Sequence, residues 1–167
     1  MSAELTLEAA TAVLHAEGLS LDERRWNDWL TLYVEDVVYW VPAWKNESET
    51  TTDPDRELSL IYYQGRGGLE DRIWRLQSGL SVASNPLRRT AHMIGNIQVV
   101  EQVSSGEGRV KASGVVHVYD PRRKTATAFF GLYEYRLRFA DGGWKIAAKT
   151  VRLLNDNIPA VLDVYML

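Results

Sequence analysis

The chain contains no cysteine. Disulfides, thiolate zinc sites and cysteine nucleophiles are thereby excluded. So is any iron–sulfur cluster held by this chain alone, since even the Rieske type needs two cysteines beside two histidines. Histidine is scarce, with three in 167 residues: His15, His92 and His117. No stretch approaches the ~20 apolar residues of a spanning helix. The opening "MSAELTLEAATAVLHAEG" carries acids where a secretory signal carries basic residues. The reading is a cytoplasmic protein without a membrane segment. Concentrated positive charge is also missing: the net charge is −3, and the pairs Arg24-Arg25, Arg88-Arg89 and Arg122-Arg123 are scattered. Nucleic-acid binding normally needs a clustered basic footprint, so that role is set aside.

What is present is ordinary globular material, 46% hydrophobic and 25% charged, enough for one domain over residues 1–167. In "TLEAATAVLHAEG", Leu7, Ala10, Val13 and Leu14 have helical spacing and Gly18 is placed to end the helix. A second helix is predicted in "SLDERRWNDWLTLYVE". Ser20 and Glu23 have capping-box spacing there, and Trp26, Trp29, Leu30, Tyr33 and Val34 mark one face. "DVVYWVP" reads as a strand, residues 43–57 as an exposed loop, and "GGLEDRIWRLQSGL" as a third helix.

From residue 88 the period changes to two. A hairpin centred near Ser105-Gly106 sets Met93 opposite Val118 and places His92 and His117 on one face. A second, turning at Asp141-Gly142, sets Phe139 against Trp144, Leu137 against Ile146 and Tyr135 against Ala148. Helices first and a long antiparallel meander afterwards is an α+β order, with Gly95, Gly114 and Gly131 as candidate bulge or kink sites.

The histidines and acids allow several chemistries. A two-histidine, one-carboxylate metal site needs His92 and His117 to converge with an acid such as Glu101 or Asp36. The plainer alternative makes both histidines polar positions on a strand. A His92–Asp36 pair in a pocket would suit general acid–base work, as in a free-standing dehydratase or isomerase. "GRGGLE" has glycines at 65 and 67 but Glu70 at the third position of a phosphate loop, so it reads as a turn. There is no G-x-S-x-G elbow. Two features suit an oligomer. The strand from Thr125 has bulky apolar residues on both faces, Tyr133 and Tyr135 on one and Phe130 and Leu132 on the other. The chain also ends "IPAVLDVYML", with Ile158, Leu162, Tyr165 and Leu167 apolar.

The blocks "LDERRWNDWLTLYVEDVVYWVP", "IYYQGRGGLEDRIWRLQSG", "NPLRRTAHMIGNIQV" and "RLLNDNIPAVLDVYML", in that order, resemble the small (β) subunit of aromatic-ring-hydroxylating dioxygenases, in the benzoate and anthranilate branch. The resemblance implies a cone-like fold similar to nuclear transport factor 2, with N-terminal helices packed in a long, curved antiparallel sheet. It implies a noncatalytic chain with no cofactor of its own. It further implies a catalytic α subunit, three combining with three β, that holds the Rieske [2Fe–2S] cluster and mononuclear Fe(II), with NADH supplying electrons through a reductase. The candidate interface is then His92, His117, Tyr133, Tyr135, Ile158, Leu162, Tyr165 and Leu167, and removing residues 158–167 is expected to weaken assembly. One departure stands out. Where many members carry G-x-R-x-D-x-L-R, this chain has "GLYEYRLR", with Tyr133 and Tyr135 at the arginine and aspartate positions.

Overall fold

The computed structural model describes residues 3–82, 85–159 and 161–167. Three helices, α1 (Leu7–Asp22), α2 (Trp26–Thr31) and α3 (Arg66–Ser78), pack on one six-stranded sheet. Its strands are β1 (Tyr33–Pro42), β2 (Ser59–Gln64), β3 (Arg89–Ser104), β4 (Glu107–Asp120), β5 (Thr125–Ala140) and β6 (Gly143–Leu153), in the order β2-β1-β6-β5-β4-β3. The sheet is mixed rather than wholly antiparallel, because β1 runs parallel to β6. Strand β2 is not anticipated by the sequence pattern.

Helix α1 does not stop at Gly18 but continues to Asp22, capped at its start by the Thr6 hydroxyl, which accepts from Ala9 N at 3.1 Å. Gly18 is there for packing: a Cβ on it would fall 3.0 Å from His92 Cβ. The break comes at Arg24, whose φ of 57° no helix accommodates. Ser20 therefore lies buried inside α1 instead of capping a second helix. Of the expected aromatic face, Trp26 and Trp29 sit on the short α2, while Tyr33 and Val34 open β1. All four are buried.

The β5–β6 hairpin has the expected turn, with Asp141 and Gly142 both at positive φ, and the expected pairs Phe139↔Trp144 and Leu137↔Ile146. A bulge then slips the register by one, so Tyr135 faces Lys149 and not Ala148. Ala147 is the extra residue, and it is buried beside Ile146. The bulge turns Lys149, Val151 and Leu153 to the inner face.

In β3–β4 the turn is also right, Ser104 pairing with Glu107, but three irregularities follow along β3. By His92 the register has moved three places from the uninterrupted one, and His92 faces Val116, with Met93 on Val115. An odd shift reverses the faces. His92 points inward and His117 outward, so the two histidines do not meet. Gly95 lies at one irregularity, but Gly114 and Gly131 pair in regular ladder and serve close approach, since a Cβ on Gly131 would lie 2.5 Å from Arg152 O.

Candidate functional site

The inner end of the cone is a buried polar cluster. Lys149, brought inward by the β6 bulge, donates to Glu17 Oε1 of α1 at 2.7 Å and to the backbone oxygen of Leu167 at 3.2 Å. Tyr135 Oη donates to Glu17 Oε2 at 2.9 Å, and Tyr33 Oη to Glu17 Oε1. The rings of Tyr39, Tyr133 and Tyr135 stand 5.4, 5.4 and 5.7 Å from the ammonium. Glu17 and Lys149 are 2% and 1% exposed, which is tolerable only because each meets an opposite charge and further hydrogen bonds. Burial, and after it the Glu17 charge, pushes the hydroxyls of Tyr33, Tyr39, Tyr133 and Tyr135 upward, so all four stay protonated donors. Tyr133 and Tyr135 are thus walls of this cluster.

Sequence reasoning missed Glu17 and Lys149. Glu17 lies on a helix whose inward face was read only from its apolar residues. Lys149 sits one place out of phase with the strand alternation until the bulge is known.

The mouth is closed by the C-terminal segment. Val164–Met166 form a 3₁₀ turn, and Val164, Tyr165, Met166 and Leu167 are each 1% exposed. Tyr133, Tyr135, Tyr165 and Leu167, expected at a subunit interface, are instead buried inside their own chain. The strand carrying the two tyrosines turns that face into the cone, and the tail folds back over it. Ile158 and Leu162 are partly buried against the core, and His117 is exposed.

His92 has an acid partner, but not Asp36. Its Nδ1 lies 2.5 Å from Asp22 Oδ1, and Asp22 also accepts from His92 N at 2.8 Å and from Thr90 Oγ1 at 2.9 Å. Burial alone would raise the Asp22 carboxyl. The His92 hydrogen bonds, ring and backbone, outweigh it and hold the carboxyl below its ordinary value. The ionised carboxylate can only accept, so the imidazole carries its proton on Nδ1. An oriented imidazole of this kind has the form of a general base. Its ring is 3% exposed, however, and Nε2 is buried with no hydrogen-bonding partner among the described residues. Asp36 lies at the surface against Arg138, 2.9 Å away, and Glu101 pairs with Arg109 at 2.8 Å.

On the other side of the sheet, large apolar residues face outward: Met93 at 63%, Phe130 at 42%, Leu132 at 46% and Leu154 at 41% exposure. Cross-strand pairing through Val115 joins Met93 to Phe130, and these residues line one shallow apolar depression with Leu132 and Leu154. Among the described residues no helix is long and apolar enough to cross a membrane.

Helices packed against a curved mixed sheet define the nuclear transport factor 2-like class. The same fold recurs in a hexachlorocyclohexane dehydrochlorinase that is 13% identical, with TM-score 0.62 over 89% of this chain and 84% of that one. Within the class, residues 16–160 match the family described as ring hydroxylating beta subunit. The 2-halobenzoate 1,2-dioxygenase small subunit of Burkholderia cepacia is 39% identical, covering 92% of each chain. The anthranilate 1,2-dioxygenase small subunit of Acinetobacter baylyi is 34% identical over 99% of each. The crystal structure of the benzoate 1,2-dioxygenase beta subunit from Burkholderia mallei is 32% identical, with TM-score 0.81 over 99% of each. The chain belongs to the ring hydroxylating beta-subunit family, and is a small subunit of an aromatic-ring-hydroxylating dioxygenase.

Proposed function

We propose that this chain is the noncatalytic, assembly-holding subunit of a cytoplasmic dioxygenase that dihydroxylates an aromatic carboxylate of the benzoate or anthranilate type. In this reading three copies combine with three α subunits. The α subunit carries a Rieske cluster and mononuclear Fe(II), which activate dioxygen with electrons passed from NADH by a reductase. The donors of this chain fit neither group: it has no cysteine, and its two strand histidines lie on opposite faces of the sheet. The observation that carries the reading is the division of its apolar surface. The cone is filled by the chain's own tail, while Met93, Phe130, Leu132 and Leu154 remain outside, where only another subunit would cover them. His117, Ile158 and Leu162 remain candidates for the same contact. Tyr165 and Leu167 act through the fold instead, so loss of residues 158–167 would disturb the cone before any interface.

The test is expression of the chain alone and with an α subunit of the benzoate type. Alone it should be colourless and without turnover; together they should yield a coloured, active oxygenase. The Asp22–His92 pair supplies the rival, a dehydratase or isomerase. Turnover by the chain alone that disappears in His92→Ala would establish that rival and end the subunit reading.

A further inference from the structure

The tail that closes the cone is held as a ligand is held. Asp163 is ion-paired with Arg72 of α3 and accepts from Val164 N at 2.7 Å. The Tyr165 ring meets Trp26 of α2 edge-on at 6.1 Å. Met166 stands with Val118 and Phe129 around a hollow of about 60 Å³, and the Leu167 oxygen takes a hydrogen bond from Lys149. At the inner end wait an ammonium already balanced by Glu17, three tyrosine rings, and a Tyr39 hydroxyl that is buried and has no hydrogen-bonding partner among the described residues. Apolar walls with a few convergent donors are the build of a small-molecule site.

We infer that the cone interior is a binding site for a small aromatic molecule bearing a carbonyl oxygen, occupied here by residues 164–167 of the same chain. The aromatic part follows from the walls, Tyr39, Tyr133, Tyr135 and Phe129, which favour edge and offset ring contacts. The carbonyl follows from the donors, the Lys149 N–H that now serves Leu167 and the unused Tyr39 O–H. Four buried residues vacate more than the ~150 Å³ that admits a benzene ring.

The experiment uses a chain ending at Asp163, with benzamide as the probe. Benzamide should raise its melting temperature and change its tryptophan fluorescence, and should do neither to the full-length chain. Toluene, which lacks the oxygen, should bind about tenfold more weakly, and so should benzamide to the shortened chain carrying Glu17→Gln and Lys149→Met, which removes the donor without stranding a charge. A folded shortened chain indifferent to benzamide, equal binding by the full-length chain, or toluene binding as well as benzamide would each overturn the inference. If the shortened chain does not fold alone, it is refolded with benzamide: recovery of native circular dichroism supports the site, and none at saturation counts against it. Assembly with α is scored on the full-length chain, so the two readings fail separately.

Discussion

Lys149 and Glu17 show how a buried ion pair commits its neighbours. Breaking it from one side, with Lys149→Met or Glu17→Gln, leaves an uncompensated buried group and should cost about 3–5 kcal/mol in urea unfolding. The double substitution should cost clearly less than the two singles summed, because neither charge is then left alone. Asp22 carries a pH dependence. Its carboxyl is depressed in the fold, so its contribution is fully present above its unfolded pKa of ~3.9 and is lost as pH falls through the lower folded value. In Asp22→Asn the acid limb of a stability profile should be flatter, and stability at neutral pH about 1–3 kcal/mol lower from the weakened His92 contacts. The partner of His92 is Asp22, not the Asp36 that the sequence suggests. The acid lay 70 residues away on a helix expected to end earlier, and sequence spacing has no access to that contact.

At the level of the element, a single missing methyl sets how closely α1 lies on β3. Gly18→Ala would ordinarily gain helix propensity of ~1 kcal/mol. Here the added Cβ meets His92 Cβ at 3.0 Å, so the melting temperature should fall, and fall further for Gly18→Val. An unchanged or raised melting temperature in Gly18→Ala would show that the two elements separate freely. Strands and turns were largely legible: the Asp141-Gly142 turn and its first pairs hold as alternation predicts. Face was not legible wherever a bulge intervened. β3 contains three irregularities, and one at Asn96 needs a positive φ of 52° that asparagine tolerates but does not advertise. Each unpaired residue reverses inside and outside, which is why His92, His117 and Lys149 escaped a reading based on period alone.

For the whole molecule, the outer sheet face should govern association and little else. Phe130→Asp and Leu132→Asp, at 42% and 46% exposure, should leave the unfolding of the isolated chain within about 0.5 kcal/mol. They should nevertheless reduce copurification with an α subunit several-fold, measured by affinity capture and gel filtration. Undiminished assembly in both would show that the apolar depression faces water in the oxygenase. The overall architecture could be anticipated from the order of helices and strands with the family blocks, whereas the self-filling of the cone could not. An apolar tail has the same composition whether it turns to a partner or back to its own core.

The parallel pairing of β1 with β6 also bears on how the chain comes off the ribosome. Tyr33 pairs with Ile146 and Trp40 with Thr150, so strands adjacent in the sheet are synthesised more than a hundred residues apart. The β2–β1 pair and the β3–β4–β5 meander are joined in the sheet only through β6. Until that strand emerges, the two halves have no shared ladder, and only the helices already made, α1 on β3 and α3 on β1, can cover them. Contacts of such sequence separation slow folding and lengthen exposure to aggregation. Strand β6 is the seam of the sheet, and a ribosome that stalls before it leaves the two parts of the ladder unpaired.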